Sequence, residues 1–215
     1  MFVNLVSYLN LVFVLVFLAL CIVLFNFESK KISHKFLVGI LSCNFINEVI
    51  VLILIANGGN YGLSYSVSAI VHNCLWLLLM DKILNNRLFR YLIAAYILFS
   101  ILNLLLFEGI EYFNRYTFVS GGFLYLSVFL IVSFKHLQLE NFSFFYSNDY
   151  LLLFSPVFFF LGLSFYFGFK DSSIGNVEII KDLRLYDVII YFVNILYYGL
   201  ITVFILREKR IRNAK

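Results

Sequence analysis

Seven stretches of the chain run almost free of charge: residues 2–26, 36–57, 64–80, 90–107, 117–135, 150–168 and 187–206. Each has the length of a transmembrane helix, which needs about 17–25 apolar residues at about 1.5 Å per residue. A membrane β-barrel would instead alternate apolar and polar positions over about ten residues, and Leu75-Trp76-Leu77-Leu78-Leu79-Met80 does not alternate. The pattern predicts an all-α fold, a polytopic bundle of seven transmembrane helices in a single domain over residues 1–215.

Within the spans the polar residues recur every three or four positions, which places them on one face of a helix. The third span carries Tyr65, Ser68, His72 and Trp76; the fourth carries Tyr96, Ser100 and Asn103; the seventh carries Asp187, Tyr191, Asn194 and Tyr198. Each such group costs free energy in lipid unless it faces other helices or a wet cavity.

The basic residues give the bundle a direction. Twelve of the sixteen fall in the 30–35, 82–90 and Lys135 connections and in the tail, namely Lys30, Lys31, Lys35, Lys82, Arg87, Arg90, Lys135, Arg207, Lys209, Arg210, Arg212 and Lys215. Arg115, Lys170, Lys181 and Arg184 lie on the opposite side, mixed with Glu108, Glu111, Asp171, Glu178, Asp182 and Asp187. Cytoplasmic connections keep the positive charge, so the chain is expected in a bacterial inner membrane with its N-terminus outside and its C-terminus in the cytoplasm. Nothing basic precedes Lys30, so the first span reads as a helix and not as a cleaved signal peptide.

Composition agrees with this reading. The chain is 63% hydrophobic and 13% charged, too apolar to cover a soluble globule, and its net charge of +4 is the topology signal, with no nucleic-acid footprint. Cys21, Cys43 and Cys74 sit one to a span without paired spacing, so neither a disulfide framework nor a metal site is expected. No HExxH, GxSxG or phosphate-cradling glycine loop is present, and the chain is not expected to be an enzyme or to hold a cofactor.

The candidate site is a polar layer halfway through the bilayer. Glu48 lies thirteen residues beyond Lys35, roughly 20 Å along a helix, and Asn44 is one turn below it on the same face. Counted from their own cytoplasmic charges, His72, Asn103 and Asn194 reach a similar depth, with Tyr191 on the Asn194 face. A carboxyl at that depth lines a ligand or proton site or is a protonated structural group; an imidazole beside it, from His72, could share its proton or help hold a cation. For the asparagines the simpler account is hydrogen bonding between helices. Pro156, the only proline, removes a backbone hydrogen bond from the sixth span and predicts a kink or a hinge there.

The segments Leu153-Phe154-Ser155-Pro156-Val157-Phe158-Phe159-Phe160-Leu161-Gly162-Leu163 and Tyr191-Phe192-Val193-Asn194-Ile195-Leu196-Tyr197-Tyr198-Gly199-Leu200-Ile201 carry a resemblance. They resemble the end of a group of small, largely uncharacterised seven-helix membrane proteins of Gram-negative bacteria, often encoded beside sensor histidine kinases. The resemblance implies a signalling role that depends on a partner such as a histidine kinase. A second reading comes from Val71-His72-Asn73-Cys74-Leu75-Trp76 and Phe192-Val193-Asn194-Ile195-Leu196-Tyr197, which share an Asn-x-Leu-aromatic pattern. Two three-helix repeats joined by the fourth helix would place them alike, as in SWEET-type small-solute transporters. The expected partners are therefore the lipid bilayer, a small-molecule ligand and a histidine kinase.

Overall fold

The computed structural model describes residues 10–169, 177–180 and 183–214. It is predominantly helical, and six of its helices are long and apolar enough to cross a membrane. The chain divides into two compact units, Met1–Gly121 and Gly122–Lys215.

In the first unit α1 (Leu11–Phe25) begins where Asn10, in extended conformation, accepts the Phe13 N–H on its side-chain oxygen at 2.8 Å. That bond satisfies one of the donors a helix start leaves open, which is why an asparagine suits this position. Residues 2–9 of the predicted first span lie outside the described residues, and the 15 residues of α1 reach about 22 Å. α2 (Ile32–Ala56) follows a turn in which the His34 ring nitrogen accepts the Glu28 N–H at 3.1 Å. Gly58, at φ +67°, reverses the chain after α2 in a left-handed conformation natural to glycine.

α3 (Gly62–Leu84) packs on α2, and α4 (Leu88–Leu102) packs on α3. The start of α3 lies tight against another backbone. A Cβ on Gly62 would stand 2.8 Å from the Tyr112 carbonyl carbon and 2.9 Å from both Glu111 O and Phe113 N. α4 ends in a single π-helical turn, Asn103–Phe107, and α5 (Arg115–Gln138) then crosses from the first unit into the second. Trp76, Leu77, Met80, Leu37, Ile40 and Leu41 form the fully buried centre of this unit.

In the second unit a short helix, α6 (Phe142–Tyr146), precedes the sixth span; the charge-free pattern did not predict it. That span is broken into α7 (Asn148–Phe154) and α8 (Val157–Gly168) at Ser155-Pro156. The described part of the connection that follows holds a two-stranded antiparallel ladder, β1 (Glu178–Ile180) with β2 (Leu183–Arg184). It leads into α9 (Leu185–Asn213), which runs on past the predicted end at 206 through the basic tail. α8 and α9 approach closely at Gly162, where a Cβ would meet Val193 Cγ1 at 2.3 Å. Tyr125, Phe160, Tyr197 and Phe204 fill the centre, with the Tyr125 and Phe160 rings 5.0 Å apart. Leu98, Leu105 and Phe107 in the first unit, and Ile131 and Phe134 in the second, are exposed, as side chains that face lipid are.

Candidate functional site

Antiparallel packing of α2 and α3 sets which polar residues meet. The Ser64 hydroxyl donates to Asn47 Oδ1 at 2.8 Å, and His72 Nδ1 lies 2.9 Å from Asn44 Oδ1. With a carbonyl oxygen opposite, that ring nitrogen is the one carrying the proton. His72 is buried, and Trp76 stands edge-on to its ring one turn further along α3.

The partner of His72 on the second span is thus Asn44 and not Glu48, which stands one turn nearer the end of α2. Glu48 is half-buried. Its carboxylate meets the Asn10 side chain at the start of α1 and interacts electrostatically with Tyr65, in the first turn of α3. It therefore lies beside the beginnings of two helices, where exposed N–H groups and the helix dipole favour negative charge. Eight residues separate it from the α2 terminus at Ala56, about 12 Å, whereas Asn44 and His72 lie near the midpoints of α2 and α3.

Asn103 departs further from the expected layer. It opens the π turn at the end of α4 and donates its amide to Glu108 Oε2 at 2.6 Å and to Thr117 Oγ1 at 2.9 Å. Glu108 in turn accepts the Arg115 N–H at 2.9 Å and the Tyr116 N–H at 3.0 Å, capping α5 with a carboxylate. Both bonds donated by the Asn103 amide nitrogen go to this junction. Counting every depth from a basic residue made the layer look flat, but the helices overrun those charges by different lengths: α2 starts three residues before Lys35 and α9 continues six beyond Arg207.

Tyr191 and Asn194 belong to the second unit. Tyr191 is 37% exposed, and Asn194, although buried, donates its amide to Ile190 O of its own helix at 2.8 Å. Pro156 does interrupt the sixth span, and the carbonyls that lose their usual helical donors find others. Leu152 O accepts the Ser155 N–H at 3.2 Å as well as a hydroxyl, and Leu153 O accepts a hydroxyl. Ser155 Oγ donates to Leu152 O at 2.8 Å, and the buried Tyr125 hydroxyl donates to Leu153 O at 2.7 Å. The break is pinned at both carbonyls.

Several polar residues that organise the first unit were not singled out from the sequence. Asp81 is 4% exposed at the end of α3, with Arg90 Nε at 3.6 Å and Lys82 Nζ at 3.9 Å from the same carboxylate oxygen. Beside Lys82 it reads as one more loop charge. Asn73 donates to Tyr96 Oη at 3.2 Å, and that hydroxyl donates to Thr117 O at 3.2 Å, so α3, α4 and α5 are tied in sequence. Gly121 leaves room for this chain, since a Cβ there would stand 2.7 Å from Tyr96 Oη and 2.8 Å from Asn73 Cγ. Asn10 and Glu108 escape a reading by apolar runs, since Asn10 lies inside the run 2–26 and Glu108 follows the run 90–107 instead of directly preceding the next one.

These features are those of a multi-pass α-helical membrane protein. No protein-family model, no curated protein and no solved structure matches the chain.

Proposed function

We propose that the chain crosses a bacterial inner membrane seven times, with its N-terminus outside, and serves as the ligand-reading subunit of a signalling pair. A small ligand or proton is held at Glu48, on the outer half of the first unit, and the response passes to a membrane-bound or cytoplasmic partner such as a histidine kinase. The one-sided distribution of basic residues supports the orientation.

The observation that carries the site is Glu48 itself. Its carboxyl is half-buried inside a span, and among the described residues no lysine or arginine is paired with it. Asp81, by contrast, has two basic neighbours, and Glu108 is saturated by one side-chain and two backbone donors. Of these three carboxylates of the first unit, Glu48 is the one with capacity left for a ligand. It follows Asn47 in the chain and lies one turn beyond Asn44, the two α2 residues whose side chains bond to α3, so a ligand at Glu48 sits beside the contacts that set the packing of those two helices. A ligand moves that packing only by binding one arrangement more tightly than the other.

Affinity purification of the tagged protein from native membranes in mild detergent tests the reading. Recovery of a stoichiometric histidine kinase whose activity changes in the Glu48→Gln variant supports it. An unaccompanied protein that moves solute across proteoliposomes overturns it in favour of a small-solute transporter.

A further inference from the structure

The surroundings of Glu48 are aromatic as well as acidic. Phe45 lies one turn away on the same face of α2, and its ring packs against Phe13 of α1 at 5.4 Å and Phe17 at 5.8 Å between centroids. From α3, Tyr65 brings a second aromatic group to the same level, because Ser64 before it bonds to Asn47, the residue before Glu48, at 2.8 Å; its ring meets Tyr61 edge-on at 5.8 Å and Phe113 edge-on at 6.3 Å. Tyr61, 45% exposed, forms the open rim. Because the Asn10 side-chain oxygen is engaged by the Phe13 N–H, its amide is the part left to face the carboxylate.

This set of groups discriminates among cations. Sodium, calcium or magnesium asks for about six oxygen ligands, and one carboxylate with one or two phenols supplies too few. An ammonium group bearing alkyl substituents asks for a single opposing charge and for ring faces on which its methyl or methylene groups can lie. We propose that the Glu48 site takes an organic monocation of the alkylammonium class, with its charge set against Glu48 and its alkyl groups against the rings of Tyr61 and Tyr65. The assignment rests on the reading of Glu48 as a ligand site and names the chemistry of that ligand.

The test uses the full chain in nanodiscs with tetramethylammonium chloride as the probe and sodium chloride at matched ionic strength as the control. Saturation-transfer NMR reads the methyl protons of the probe. Saturable transfer is expected with the native chain, weakened about tenfold or more in Glu48→Gln and severalfold in Tyr65→Leu, and kept in Tyr65→Phe, which retains the ring. Where Glu48→Gln fails to fold, Tyr61→Leu at the exposed rim carries the test, with a severalfold loss expected. No saturable transfer to the native chain, or equal transfer to the folded Glu48→Gln variant, overturns the assignment. The two proposals fail separately. A kinase that responds to Glu48→Gln while tetramethylammonium does not bind removes the ligand class and leaves the signalling role. Glu48-dependent binding in a protein with no partner and with solute flux removes the signalling role and leaves the ligand class.

Discussion

In Met1–Gly121 four asparagine side chains bond to a neighbouring helix, whereas in Gly122–Lys215 the polar groups late in the chain, Asn194 and Thr202, bond to their own helix, and Tyr125 and Asn148 cross to another. Asn47 with Ser64, Asn44 with His72, Asn73 with Tyr96 and Asn103 with Thr117 each cross between helices. Asn194 and Thr202 turn back to the carbonyls four residues earlier, and the second unit packs instead through rings, such as Phe159 on Tyr197 at 4.7 Å, and through the close approach at Gly162. A polar residue that bonds to its own helix says nothing about its neighbours. One that bonds across fixes register, and a site can be built only on fixed register. The same residue type therefore has different worth in the two units, and the candidate residues of the first unit stay interesting after those of the second do not.

The sharpest way to break this contrast is to overfill the tight contact of each unit. In Gly62→Ala the new methyl meets backbone atoms of Tyr112, Glu111 and Phe113, which cannot rotate away. In Gly162→Ala it meets the end of the Val193 side chain, which can. Overpacking costs about 1–3 kcal/mol and more where nothing yields. Gly62→Ala should therefore lose folded protein in detergent, and Gly162→Ala should only lower the thermal midpoint. Equal losses from the two would mean that the α8–α9 contact is as rigid as the backbone junction in the first unit.

Removing the carboxylate in Glu108→Ala comes next. Three donors lose their acceptor at once, those of Asn103, Arg115 and Tyr116, and leaving buried donors unpaired costs about 1–3 kcal/mol. A loss of about 2–3 kcal/mol in chemical unfolding is expected, with Glu108→Gln closer to the native chain because one oxygen remains. A loss under about 0.5 kcal/mol would show that water serves these donors equally well.

The periodicity and the charge bias made the helices legible, and the reason is thermodynamic: hydrocarbon penalises every charge, so the ends of α2 to α5 fall within a few residues of where the apolar runs stop. Three features were illegible. The start of α1 at Leu11 depends on one asparagine inside an uncharged run that also carries Asn4 and Ser7, so hydropathy alone passes over it. The π turn at Asn103 and the Glu108 cap depend on a contact seven residues along the chain, beyond the reach of helical periodicity. The partner of His72 depends on the offset between α2 and α3, and moving that offset by one turn exchanges Asn44 for Glu48. Residue types could be chosen from the sequence, but their pairing could not.

In the second unit the counterpart of the Glu108 junction is the break at Pro156. Tyr125→Phe keeps the ring that packs on Phe160 and removes only the donor to Leu153 O. The carbonyl is then buried without its side-chain partner, and a loss of about 1–2 kcal/mol follows. Thermal unfolding of Tyr125→Phe beside that of the native chain measures it. A midpoint unchanged by the substitution would mean that the break at Pro156 does not depend on this bond, and a hinge there would again be open.

The smallest effects decide the comparison itself. A double-mutant cycle on Asn44→Leu and His72→Leu isolates the bond between α2 and α3, and coupling between helices in a membrane protein averages about 0.6 kcal/mol with a ceiling near about 1.7. A coupling within that range is expected. Asn194→Ala removes a bond to its own helix; alanine is the better helix former, and the Ile190 carbonyl keeps its backbone donor in the helical ladder. Its effect should stay under about 0.5 kcal/mol. Should Asn194→Ala cost more than the Asn44–His72 coupling, Asn194 has a partner beyond its own helix, and the contrast between Asn44 and Asn194 would no longer hold.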